Sequence, residues 1–174
     1  MKQKLSNLIE FGADQGNEKR TVFYDIKRNK LFVGNSVPFP MIFLPGAGLS
    51  YATYVLTEHL IIRGVVPLLF SFLLMLLLVL YQFKNRREKT IVEVESYEIP
   101  KDYFVVQRSN GIKTYALIVL FAFVSIVFAW LYIIFGGFLL LFLAVVMWYC
   151  FLILLLSGQF KKSKYLKILE GEKY

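Results

Sequence analysis

Long apolar runs alternate with polar segments along this chain. Residues 114–135, TYALIVLFAFVSIVFAWLYIIF, and 138–157, FLLLFLAVVMWYCFLILLLS, hold no charge. Each is long enough to cross a bilayer, which takes about 20 mostly apolar residues in a helix. Gly136 and Gly137 between them predict a tight turn joining two antiparallel helices. Residues 64–83, GVVPLLFSFLLMLLLVLYQF, predict a third span, with Pro67 in its first turn. A missing N–H there removes no helical hydrogen bond.

Residues 38–57, PFPMIFLPGAGLSYATYVLT, are a fourth candidate. Pro38 and Pro40 suit a helix entrance, whereas Pro45 removes an interior hydrogen bond and predicts a kink or a late start. Beyond it, Gly46, Ser50 and Thr53 form a small-residue stripe on which another helix can pack closely. The stretch reads as a kinked span entered through a Pro-x-Pro elbow. A re-entrant segment is the alternative.

The polar segments predict less regular structure. TIVEVESYEI (90–99) alternates Val and Glu, the pattern of a strand with one wet face. YDIKRNKLFVGNS (24–36) aligns without a gap on YEIPKDYFVVQRS (97–109), and each precedes a predicted helical hairpin. This is compatible with internal duplication of an extended segment plus two spans. The extended pieces either pair as a small cytoplasmic sheet or are juxtamembrane linkers. EFGADQGNEK (10–19) reads as a flexible tail. KKSKYLKILEGEKY predicts an amphipathic helix lying on the membrane, with Tyr165, Leu166, Ile168 and Leu169 as its apolar side. The expected organisation is a cytoplasmic segment 1–37, a hairpin 38–83, a cytoplasmic loop 84–113, a hairpin 114–157 and a cytoplasmic tail 158–174. The fold class is an all-α membrane protein of two helical hairpins with short extended or β segments.

Charge sets the orientation. The chain has 174 residues, 57% of them hydrophobic, and 20 Lys and Arg against 12 Asp and Glu. Basic residues flanking membrane helices collect on the cytoplasmic side. KNRREK (84–89) and KKSKYLK (161–167) belong there. If residues 38–57 span, the basic N-terminal segment joins them, and only Arg63 is left outside. Both termini are therefore expected inside, in a multi-pass cell-membrane protein.

The chemistry is sparse. The predicted spans hold no Asp, Glu, Lys, Arg or His, which argues against a pump or an ion-coupled carrier. Their hydroxyls, and the small face of Ala122, Ser125 and Ala129, suit helix packing. Cys150 is the single cysteine and His59 the single histidine, so neither a disulfide within the chain nor a clustered metal site is expected. No phosphate loop and no nucleophile with a base is visible. The expectation is a non-enzyme without cofactors. Its candidate contacts for a partner or for lipid are Lys27, Arg28, Lys30, Lys84, Arg86, Arg87, Lys161 and Lys162.

The elbow V-P-F-P-M-I-F-L (37–44), after a basic extended segment and before a small-residue helix and a leucine-rich helix, resembles the TcpE family. These are small membrane proteins of conjugation machines in Gram-positive mobile elements. Val37, Pro38, Pro40 and Met41 take the places of that family's Leu-Pro-x-Pro-Ile-like entry. The resemblance covers roughly residues 24–83. It implies a subunit of a type IV secretion-like channel that holds an assembly ATPase at the membrane and binds no ATP itself. The expected partners are the bilayer, that ATPase, other conjugation membrane subunits and further copies of the chain, without direct DNA binding. The second hairpin, 114–157, departs from the family pattern. A small membrane immunity protein and a small channel or carrier are the alternatives.

Overall fold

The computed structural model describes residues 2–14, 17–36, 48, 50–56, 64–96 and 103–171. By its contacts the chain divides into two units. One gathers Met1–Phe39, Phe83–Thr114 and Ser157–Tyr174; the other gathers Pro40–Gln82 and Tyr115–Leu156.

The first unit is built on an antiparallel sheet. Its strands are β1 (Lys2–Lys4), β2 (Leu8–Asp14), β3 (Asn17–Asp25), β4 (Lys30–Asn35) and β5 (Thr90–Ser96), in the order β1-β5-β4-β3-β2. Only the 3-10 turn Leu5–Asn7 separates β1 from β2, yet these strands lie at opposite ends of that order. From Lys4 to Leu8 the chain reaches about 14 Å at most. Four strand spacings in a flat sheet would need about 19 Å. The sheet must therefore curl. Register shifts between Glu10 and Gly12 and between Val33 and Gly34 bend it in that way.

Strand alternation gives the curled sheet two apolar faces. Val22 and Tyr24 on β3 join Ile9, Phe11 and Val33 in one cluster, and Phe23 joins Phe32, Leu5 and Ile91 in the other. Phe23 and Phe32 are direct cross-strand partners with ring centroids 5.8 Å apart. The first cluster is covered by Tyr103 and by Leu166 and Leu169. The turn from β3 to β4 is fixed locally. Asp25 Oδ1 accepts a hydrogen bond from the Lys27 N–H at 2.9 Å, and Asn29 adopts a φ of 50°. The Tyr24 hydroxyl donates to Asn29 Oδ1 at 2.7 Å.

Among the described residues, four helices are fully bounded: α1 (Val65–Arg87), α2 (Tyr103–Phe135), α3 (Phe138–Leu156) and α4 (Gln159–Gly171). Among the described residues, three helices, Val65–Arg87, Tyr103–Phe135 and the one running from Phe138, are long and apolar enough to cross a membrane. Residues 50–56 are also helical. In the second unit the polar groups turn inward. Ser50, Thr53, Ser71 and Ser125 are buried, while Phe123 is 65% and Trp130 64% exposed. A surface so apolar is suited to lipid rather than water. The Ser125 hydroxyl donates to the Ala144 carbonyl at 3.0 Å, binding α2 to α3. The Trp148 indole N–H reaches the Phe72 carbonyl at 3.3 Å, and the two rings stack 5.0 Å apart, binding α1 to α3. Gly136 and Gly137, with φ of 69° and 94°, make the turn from α2 to α3 that the sequence predicts.

Several expectations are corrected. The segment expected to be a flexible tail, 10–19, contributes to β2 and β3, because Phe11, next along the same strand face as Ile9, is buried in the sheet's core. The duplication fails as structure. Residues 31–35 are strand, whereas the aligned 104–108 are helix, continuous with the apolar run that follows. Within 84–113, β5 fills Thr90–Ser96, inside the strand expected at 90–99, while α1 runs on to Arg87 and α2 begins already at Tyr103. The C-terminal helix forms, but Leu166 and Leu169 cover the sheet rather than a membrane, and Ile168 points elsewhere, 40% exposed. The short β segments that the sequence allowed do pair, and the sheet they form has its own core. Of the expected span 38–57, Pro38, Pro40, Pro45 and Gly46 lie outside the described residues, and 50–56 are helical.

Candidate functional site: a polar junction and a basic surface

Separate stretches of the chain meet at one polar junction within the first unit. Glu10 comes from β2 and Arg86 from the last turn of α1. Gln107 comes from the first turns of α2 and Lys162 from α4. Arg86 Nη2 lies 2.7 Å from Glu10 Oε2, with the side chains 12% and 30% exposed. This charge-assisted bond ties α1 to the sheet.

Lys162 is the second cation beside this one carboxylate. Burial pushes its pKa down to about 8 from an ordinary 10.5, and the Glu10 charge partly opposes the shift. The bulge places Gly12 here with a φ of 129°, a conformation in which a side chain is strained. A Cβ on Gly12 would lie 3.5 Å from Gln107 Nε2 and 3.7 Å from Lys162 Nζ. Gln107 is buried, and its Oε1 accepts no hydrogen bond from the described residues. On the next turn of α2, a Cβ on Gly111 would come within 3.2 Å of Gln159 Nε2. Glycine there lets α2 and α4 approach closely.

The junction holds charge and hydrogen-bonding groups. Among the described residues, no group of three His, Cys, Asp or Glu could hold a metal ion. Its evident effect is to fasten the ends of the helices onto the sheet.

The basic residues singled out in the sequence divide into two sets. Arg86 and Lys162 are drawn into the junction. Lys27, Arg28, Lys30, Lys84, Arg87 and Lys161 are exposed. Arg28 Nε lies 3.6 Å from Asp25 Oδ2, which holds it at the tip of the β3–β4 turn. Ser50 is fully buried in the second unit. Glu10, Gly12 and Gln107 were not singled out by sequence. Nothing in the linear order pairs Glu10 with an arginine so far along the chain. Comparison with protein-family models, curated proteins and solved structures found no match to this chain.

Proposed function

We propose that this chain is a structural membrane subunit of a conjugative, type IV secretion-like DNA-transfer machine, and that it holds the assembly ATPase at the cytoplasmic face of the cell membrane.

Topology is supported above all by the pairing of β4 with β5, in which Phe32 lies opposite Ser96. Strands in one sheet share one side of a membrane. The chain leaves β4 at Asn35 and returns at Thr90, so it crosses an even number of times between them. If α1 crosses once, the stretch before it crosses too. A re-entrant segment at 38–57 would leave β5 on the wrong side. The same parity holds for α2 and α3, since Tyr103 and Leu166 belong to one apolar cluster. This reading gives four spans with both termini inside, in agreement with the charge bias.

The partner is supported by the V-P-F-P-M-I-F-L elbow and by the exposed basic residues at the β3–β4 turn and the end of α1. These present a positive, non-catalytic surface to an acidic partner surface. The test is a crosslinked pull-down of the tagged chain from its native membrane. Recovery of a secretion ATPase, lost on combining Lys27→Glu, Arg28→Glu and Lys30→Glu, is the expected result. Recovery of the chain alone, from cells that contain such an ATPase, overturns the conjugative reading.

A further inference from the structure

The C-terminal helix has a second face, opposite the one that covers the sheet. At 3.6 residues per turn, Lys167, Phe160, Lys164, Ile168 and Lys161 fall within an arc of about 120°. All five are exposed, Phe160 at 57% and Ile168 at 40%. Leu166 and Leu169 lie on the other side, buried in the sheet cluster. The described acid of this helix, Glu170, is partly buried and outside the arc.

We infer that this outer face is a docking surface for an anionic lipid bilayer, with the three lysines meeting phosphate headgroups and Phe160 and Ile168 entering the interface between them. It rests on the membrane-spanning reading and is independent of any protein partner.

Three observations favour lipid. The first is charge complementarity: the arc is uniformly basic, and the cytoplasmic leaflet is anionic. The second is the side-chain mixture. Lysines around an aromatic and a branched aliphatic residue suit the boundary between headgroups and acyl chains. Lysine stems can lie along that apolar surface while the ammonium groups stay wet. Nucleic acid would match the charge but has no use for Ile168. The third is tethering. Phe160 is four residues past Leu156, the last residue of the apolar helix α3. Chain reach keeps it within about 14 Å of that end. Helix α4 is also held rigidly, since Tyr165 packs on Tyr24 with ring centroids 5.6 Å apart. Its outer face is therefore presented without an ordering step.

The test is spin labelling of the full chain in vesicles of phosphatidylcholine, with and without phosphatidylglycerol. In a Cys150→Ala background, labels are introduced singly by Phe160→Cys, Ile168→Cys and Lys27→Cys. Cys150 itself is labelled in the native chain. Accessibility to a water-soluble nickel complex is compared with accessibility to oxygen.

With phosphatidylglycerol, the labels at 160 and 168 should become several-fold less accessible to nickel than the label at 27. Combining Lys161→Gln, Lys164→Gln and Lys167→Gln should abolish that protection. All these positions are exposed, so the fold should tolerate the changes. Labels at 160 and 168 as wet as the label at 27, with Cys150 in the oxygen-rich bilayer interior, overturn the inference and leave the spans intact. Protection that is indifferent to phosphatidylglycerol or to the lysines also overturns it. Water access at Cys150 overturns the membrane reading and this inference together.

Discussion

Burial moves Lys162 well away from its ordinary state. Its folded pKa is lowered to about 8, so between that value and 10.5 the unfolded chain binds more protons than the folded one. Stability therefore rises with pH across that window, and below about 8 the full penalty of burying the cation is present. Lys162→Met should stabilise the protein at pH 7 by about 1–3 kcal/mol. The gain should fade as pH approaches 10.5, followed by near-ultraviolet circular dichroism in micelles. A gain that does not change with pH would assign the effect to packing instead. Glu10→Gln acts in the opposite direction. It removes the partner of Arg86 and leaves two cations together, and should destabilise by about 1–2 kcal/mol in the same melt. It should also carry the rise with pH to lower values, since Glu10 is what holds the lysine's pKa up. None of this was visible in the sequence, where Glu10 stood in a run rich in Gly, Asn and charge. Arg86 and Lys162 looked like any other members of basic, membrane-flanking segments.

Among the elements, legibility followed the strength of the local pattern. The Val–Glu alternation of 90–96 announced β5, and its pairing with β4 was one of the two readings the sequence left open. The strands β2 and β3 were hidden. Their apolar positions Ile9, Phe11, Val22 and Phe23 flank a polar turn region whose composition suggests disorder. Burial on both faces of β3 outweighs that composition. Phe23→Ala should therefore cost about 3–5 kcal/mol, the range for deleting a buried ring. Loss of the folded sheet signal at a lower denaturant concentration measures it. An effect under about 1 kcal/mol would mean that the second apolar cluster carries little of the sheet's stability. The start of α2 is hidden for a different reason. Residues 104–108 match a strand sequence closely, but they continue into an apolar helix with no breaker between. Sequence likeness to 31–35 did not carry structure, because helix or strand was decided by the neighbours.

For the whole molecule, the apolar runs were the most legible feature. Among the described residues, the three helices long and apolar enough to cross a membrane are each expected from uncharged length. Their glycine turn was expected from Gly136-Gly137. What the sequence lacked was the consequence of assembly. Three separated polar stretches form one unit with a sheet, two apolar clusters and a charged junction. That assembly constrains topology more tightly than charge bias does. Charge counting favours an arrangement, whereas strand pairing forbids an odd number of crossings between β4 and β5.

The direct measurement is cysteine accessibility in intact cells, in the Cys150→Ala background, with a membrane-impermeant maleimide. Single cysteines replace Lys27, Arg87 and Lys164, which are exposed residues drawn from the three stretches of the first unit. The account predicts that all three are protected in intact cells and labelled after permeabilisation. Labelling of position 27 from outside while positions 87 and 164 remain protected would place the strands of one sheet on opposite sides of the membrane, and would contradict the account.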